Sequence, residues 1–357
     1  MFLEIRPPLR IRSLMGEESL CIRNLVNYRI ESTKKQRMRG SFMQKIIFFR
    51  DAYAQKLLKL VKAVSGFMLV LAMIFCPLHS ALAAEGRGSA YMGGNEDFMS
   101  GALPGPGFYP IVYAFHYTAD QLMDGNGDKE PVDFDLDVTG ATLRLIYVSD
   151  MTLFGASVAW HAIVPVLNAQ VDIVETGVDA STTGLGDIEV SALILGWHLN
   201  KNFHVIGSLD VWLPVGEYDV NDVASLGRNY WTVAPIMALT YISNTGFEVS
   251  AKLQYLVNFE NSDTDYTTGN EFICDYLVGQ HFGHWMFGLN GMLYLQSTDD
   301  ELSGNDISNR KGKAFSIGPA IQYNYKNMFF NAKVQFDTNV ENRPKGEKIW
   351  LKFMYAF

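Results

Sequence analysis

The sequence predicts an all-β protein: a closed antiparallel transmembrane β-barrel of about twelve strands, with short periplasmic turns and long acidic extracellular loops. Three observations predict it. Apolar residues recur at every second position from residue 108 onward, the period of a strand with one greasy face. In Phe247–Phe259, residues Phe247, Val249, Ala251, Leu253, Tyr255, Val257 and Phe259 share one face, and Glu248, Ser250, Lys252, Gln254, Leu256 and Asn258 the other. Short and long connections alternate along the chain. The last segment, Ile349 to Phe357, alternates and ends on an aromatic residue.

Charge divides the chain. Residues 1–83 carry 14 Lys/Arg against 5 Asp/Glu, and the remainder carries 15 against 33. A basic leader before an acidic body indicates a targeting segment, and the acidic body excludes nucleic acid as a partner, since phosphate binding needs clustered cations. The apolar run Val64–Leu78 follows Lys56, Lys59 and Lys62 and ends in Ser80-Ala-Leu-Ala-Ala84, which reads as a signal peptide cleaved after Ala83. We expect residues 1–42 to be an extension upstream of a start at Met43, 43–83 the signal peptide, 84–107 a Gly- and Pro-rich plug or periplasmic segment, and 108–357 the barrel. Cys21 and Cys76 fall in the leader, so Cys274 has no intrachain partner in the body.

Strands are expected near 108–118, 132–148, 153–166, 185–198, 203–214, 229–242, 246–259, 271–282, 285–297, 314–325, 328–339 and 348–357. In the second, Val132, Phe134, Leu136 and Val138 alternate with Asp133, Asp135 and Asp137, and the phase slips near Gly140-Ala141, as at a bulge. Short turns are expected at Ser149-Asp150, Leu199–Asn202, Ser243–Gly246, Gly283-His284 and Lys326-Asn327. Long loops are expected over 119–131, 167–184, 215–228, 260–270, 298–313 and 341–347. Pro235 and Pro319 fall inside strands, where we expect bulges or register shifts.

A soluble β-sandwich shows the same alternation. The strands are too long for it, and aromatics gather at the ends of the apolar face: Trp231 and Tyr241 on the sixth strand, Phe247 and Phe259 on the seventh. Ten residues at about 3.3 Å each, tilted about 40°, climb roughly 25 Å, the height of a bilayer's apolar band. The terminal aromatics Phe353, Tyr355 and Phe357 resemble the signal through which outer-membrane barrels meet their assembly machinery.

The body resembles a known family at distributed, ordered motifs: Gly184-Leu-Gly-Asp-Ile-Glu-Val190, Leu195-Gly-Trp-His198, Gly227-Arg-Asn-Tyr-Trp231, Thr264-Asp-Tyr266 and Glu341-Asn-Arg-Pro-Lys-Gly346. It is similar to the outer-membrane family named for the meta-pathway of phenol degradation, from about Tyr91 to Phe357. The resemblance implies a Gram-negative outer-membrane protein and a channel for hydrophobic or aromatic compounds, and it brings no catalytic residues.

On the polar, lumen-facing side we expect Asp187, Glu189, Asp210, Glu248, Lys252, Asp275, Lys333, Asp337 and Lys352, either as a selective constriction or as a paired plug supporting the wall. Apolar residues expected inward, and so available to a solute, are Trp197, Trp212, Met286 and Tyr294. No cofactor or metal is expected: Asp124-Gly-Asn-Gly-Asp-Lys-Glu130 begins like a calcium loop but lacks its glycine at the sixth position. Expected partners are outer-membrane lipid and lipopolysaccharide, the barrel-assembly machinery and small hydrophobic solutes, with the chain a monomer. The alternatives are a non-transporting surface protein acting through its acidic loops and an outer-membrane lipid hydrolase. The body has no His-x-Ser and no nucleotide fingerprint, which disfavours an enzyme.

Overall fold

The computed structural model describes residues 87–357. The expected extension and signal peptide lie outside the described residues. The strands, in chain order, are β1 Gly107–Leu122, β2 Phe134–Leu153, β3 Ala156–Ile173, β4 Val178–Leu185, β5 Ile188–His198, β6 Phe203–Leu213, β7 Thr232–Ile242, β8 Phe247–Asn258, β9 Glu260–Asn261, β10 Tyr266–Thr267, β11 Glu271–Phe282, β12 Trp285–Gln296, β13 Asp300–Leu302, β14 Asn305–Ile307, β15 Lys313–Tyr325, β16 Met328–Glu341 and β17 Pro344–Tyr355.

Each barrel strand pairs antiparallel with its chain neighbour, and β1 pairs with β17 from Ile111↔Met354 to Leu122↔Pro344. With β4 running on into β5, this closes a twelve-strand barrel; among the described residues there is no α-helix, only a 3-10 turn at Val174–Thr176. The short β9, β10, β13 and β14 form a separate sheet on the long-loop side.

The barrel is inside-out relative to a soluble protein. Along β8, Glu248, Ser250, Lys252, Gln254, Leu256 and Asn258 are buried, while Phe247 is 42% and Val249 41% exposed. Trp231, Tyr241 and Phe259 are exposed too, as a lipid-facing aromatic girdle requires. The chain end follows suit: Phe353 and Phe357 are exposed, Phe353 packs on Phe330, and Phe357 packs on Tyr355 and Phe108.

Several sequence expectations are corrected. Pro235 and Pro319 cause no register shift: Val233↔Val257 and Ile236↔Gln254 keep one offset across Pro235, and Ile317↔Phe336 and Ala320↔Lys333 keep one across Pro319. Bulges fall elsewhere, including Ser191/Leu193 in β5 and Ala159/Ala162 in β3. The first short turn is Phe154-Gly155, both with positive φ, because a two-residue hairpin twists correctly only in that region. Residues 341–347 are no long loop, since only Asn342-Arg343 separates β16 from β17.

The loops after β1 and β3 are largely replaced by strand, and this explains Gly140-Ala141. Pairing of β2 with β1 and β3 runs through both residues without a shift. What changes is polarity. Below Gly140 the outward residues are Leu143, Leu145 and Tyr147; above it they are Asp133, Asp135 and Asp137, and the apolar residues Phe134, Leu136 and Val138 face inward. The strand leaves the bilayer here, so its outer face meets water.

In the loop sheet, Asp300 is fully buried and accepts from Gln296 Nε2 at 2.5 Å and Tyr266 Oη at 3.1 Å. Burial pushes its carboxyl up to about 7. A carboxyl raised in the folded state stabilises as its neutral form. Its contribution is complete below the unfolded value of about 4 and is lost as pH rises through 7. Hydrogen exchange of β10 and β13, corrected for intrinsic rates, is therefore expected to quicken between pH 5 and 8. Asp300→Asn should remove that dependence; an unchanged profile would count against a neutral Asp300.

Candidate functional site

The segment before β1 threads the lumen. Its carboxylates pair with cations of the wall. Glu96 meets Arg144 at 2.6 Å and Lys252 at 3.8 Å, and Asp97 meets Lys333 at 3.2 Å and also Lys352. Lys333 also donates to the carbonyls of Asn95 and Glu96. Asp275 accepts from Tyr91 Oη and from the amides of Gly94 and Glu96. Glu248 accepts from the Met99 amide at 2.5 Å, and Gly101 donates to Thr240 Oγ1. Toward the long-loop side, Ser89 donates to Glu271 and Arg87 pairs with Glu130 at 2.9 Å. The segment runs through the lumen from Arg87 on the long-loop side to Gly101 beside Thr240, in the position of a plug.

The nine predicted lumen residues divide accordingly. Glu248, Lys252, Asp275, Lys333 and Lys352 are brought together on the plug. Glu189 and Asp210 gather instead around His161, at 3.4 and 3.5 Å from its Nε2. Asp337 accepts from Ser316 and from Tyr117 Oη. Asp187 leaves the ladder between β4 and β5 and accepts from the amides of Gly216 and Arg228. Sequence reasoning missed Arg144, Glu96 and Asp97; their signal is charge inside otherwise apolar or Gly-rich stretches.

Of the expected solute contacts, Trp212, Met286 and Tyr294 are buried in the lumen, yet largely committed. Trp212 packs edge-on against Tyr91 at 6.3 Å, Met286 joins Phe98, and Tyr294 donates to Glu271 and lies under Arg343. Trp197 is a correction. The bulge between Ser191 and Leu193 flips the remainder of β5, so Trp197 pairs with Val205 on the outer face and donates to the Phe154 carbonyl.

His161, Glu189 and Asp210 bring one ligand atom each within 4.8 Å of one another. Arg144 Nη2 lies 3.0 Å from His161 Nδ1, which makes Nδ1 the acceptor and leaves the proton on Nε2, where a metal would have to bind. The same geometry disfavours a hydrolase. Ser191 Oγ is 3.0 Å from Nε2, but Asp210 shares that edge of the ring, whereas a catalytic triad needs its carboxylate on Nδ1. Asp124 accepts from the Asn126 and Asp128 amides, so its carboxylate closes its own loop.

Above the plug lies a cavity of about 560 Å³. One wall is the inward apolar face of β2 and β3: Phe134, Leu136, Val138, Leu167, Val171 and Ile173. The lid is the loop between β6 and β7, where Ala224 and Leu226 pack on Ala169, Val138 and Leu167. Arg343, Tyr117 and Tyr294 provide polar edges at the floor. A largely apolar cavity of this size with a few convergent polar groups suits one small organic molecule.

The model of the family described as "Putative MetA-pathway of phenol degradation" matches residues 119–353. The fold is similar to that of an outer membrane channel from Pseudomonas putida F1, at 18% identity and TM-score 0.66, covering 73% of this chain and 98% of that one. Weaker likenesses include the β domain of a Bordetella autotransporter (10% identity, TM-score 0.45, covering 70% and 100%) and a monoaromatic hydrocarbon channel (10%, TM-score 0.37, covering 71% and 89%). No curated protein sequence matches the chain.

Breaking a buried ion pair from one side costs about 3–5 kcal/mol, because the remaining charge is stranded. The double variant Glu96→Gln, Asp97→Asn strands Arg144, Lys333 and Lys352 and is expected to unseat the plug. Single-channel conductance in a planar bilayer should rise; conductance equal to the parent's would show that the plug does not limit ion passage.

Proposed function

The chain belongs to the MetA-pathway phenol-degradation family of outer-membrane β-barrels, and on that footing we propose that it admits small hydrophobic or aromatic compounds by diffusion. The observation that carries this reading is the polarity inversion at Gly140. A strand pair that has left the bilayer ordinarily has no reason to keep an apolar face inward, since the lumen below is polar. Phe134, Leu136, Val138, Leu167, Val171 and Ile173 do so and surround a cavity with room for one such solute. Binding energy comes from burial of apolar area, at about 25 cal/mol per Å². Arg343, at the floor of the cavity, is placed to receive a hydroxyl or carboxylate substituent, while the phenol oxygens of Tyr117 and Tyr294, whose protons go to Asp337 and Glu271, can only accept from a hydroxyl.

The same reading has the chain exported by its leader and assembled as a monomer through its last strand, with Phe353, Tyr355 and Phe357 as the recognition signal. The acidic outer residues of the strand extensions would face lipopolysaccharide.

The test uses N-phenyl-1-naphthylamine, a neutral aromatic probe that fluoresces on reaching phospholipid. Intact cells carrying the protein should take it up faster than cells without it. Val171→Asp puts a carboxylate into the cavity and should slow uptake about tenfold, equivalent to roughly 1.4 kcal/mol. Gln170→Asp, one residue away on the watered face, should leave it unchanged. Equal uptake with and without the protein would sink the proposal.

A further inference from the structure

The hairpin of β5 and β6 brings together two histidines that solute uptake does not use. His198 ends β5, His204 is the second residue of β6, and the two are register partners. Partners on one face of an antiparallel pair carry their Cβ atoms about 4.5–5.5 Å apart, near enough for two imidazoles to meet. Here they do: the Nδ1 atoms lie 2.7 Å apart, with ring centroids 4.8 Å apart and planes at 77°. Neither ring has another hydrogen bond or an ion pair among the described residues. This distinguishes them from His161, whose Nδ1 faces Arg144.

The pair stands at the short-turn end of the barrel, the periplasmic end in outer-membrane barrels. His198 continues the inward phase of Ile194 and Gly196, and His204 that of Ile206 and Ser208. Ile194 and Ile206 share one cluster with Leu103 of the plug, and a Cβ on Gly196 would lie 2.6 Å from Leu103 Cβ. His198 is exposed and His204 half-buried, so an ion and its waters can reach both. The turn between them is held from within. The Leu199 amide donates to the Phe203 carbonyl at 3.0 Å, and Asn200 Oδ1 accepts from the amides of Asn202 and Phe203. Asn202 Nδ2 donates to the Ile242 carbonyl on β7. Both asparagines are engaged by the turn, and the imidazoles are the ligands on offer, already brought together before any ion arrives.

We infer that His198 and His204 form a two-histidine site for a divalent transition metal that favours right-angled coordination, Cu²⁺ foremost, at the periplasmic mouth of the lumen. A neutral imidazole carries its one proton on either nitrogen. With both protons on Nε2, the two Nδ1 lone pairs converge on one point, and a cation there takes both. Metal–nitrogen bonds of about 2.0 Å set two nitrogens about 2.8 Å apart at a right angle and about 3.3 Å apart at a tetrahedral one. The observed 2.7 Å fits the first. Imidazole suits Cu²⁺, which also heads the affinity order of the divalent first-row metals. Water fills the remaining positions. The site lies apart from the apolar cavity, at the other end of the lumen, and does not depend on which solute the barrel admits.

The test titrates the barrel, purified in detergent without a polyhistidine tag, with copper(II) chloride at neutral pH, followed by calorimetry and electron paramagnetic resonance. One Cu²⁺ per chain should bind, with a tetragonal spectrum split by two nitrogens. His198→Gln and His204→Gln should each weaken binding about a hundredfold, because the second ligand's effective concentration is lost. Neither single variant should keep the two-nitrogen splitting. His116→Gln and His284→Gln should bind as the parent does. Saturating Cu²⁺ should raise the Tm of the parent and leave that of the His198→Gln, His204→Gln double variant unchanged. Heat-modifiable gel migration shows that each variant is folded. Parent-like Cu²⁺ binding by the folded double variant, or no one-to-one binding by the folded parent, overturns the site; either result leaves the uptake proposal standing.

Discussion

Every backbone donor and acceptor at bilayer depth must be paired within the protein, because hydrocarbon offers no substitute and each unpaired group costs several kcal/mol. This is the constraint on which the architecture depends. It is met by the ladder of β1 on β17, which removes the last sheet edge. It also sets the tolerance for defects. Pro235 and Pro319 sit inside strands, yet the register runs on across both. Pro165 lies instead where the ladder has already shifted at the β4–β5 junction.

The second organising fact is that a side chain's partner phase changes along a single strand. On β2 the outward face runs from Tyr147 and Leu145 in lipid to Asp137 and Asp135 in water, and the inward face runs from Arg144 on the plug to Leu136 on the cavity. Neither face is apolar throughout. The strand reports its surroundings, level by level, and the crossing point is Gly140, packed against Phe115 and Leu167 so that no Cβ fits. The structure thus builds an apolar chamber outside the bilayer from the same alternating code that builds a polar lumen within it.

This explains what was legible in the sequence. Alternation over long segments, the order of short and long connections and the terminal aromatics specify twelve strands and their closure, since each reflects repeated burial against one medium. The lumen charges were legible for the same reason: Lys252 and Asp275 fall on the polar phase of well-behaved strands. Trp197 was not, because one extra residue at the β5 bulge inverts everything after it, and no local residue announces the bulge. The cavity wall was hidden by the assumption that apolar means lipid-facing. Val132 to Val138 alternate cleanly with aspartates, and aspartates on the outer face were the available sign that this stretch lies beyond the membrane. The plug's role was hidden because Glu96 and Asp97 acquire meaning only beside cations contributed by strands 48 to 255 residues away.

Those cations bind the segment's fate to the wall's. Arg144, Lys252, Lys333 and Lys352 project from four different strands into one volume, and the lumen's own acids there, chiefly Asp275, are already engaged by Tyr91 and the Gly94 amide. Without the plug, Lys333 and Lys352 would lose Asp97, the carboxylate they share, and Arg144 would lose Glu96. A plug without the barrel has no core of its own to fold around. Each therefore supplies the other's neutralisation, and covalent attachment through Gly107 keeps the two at high effective concentration. A lumen lined by such compensated charges is a poor passage for a neutral apolar molecule, which has nothing to offer the charges it would displace.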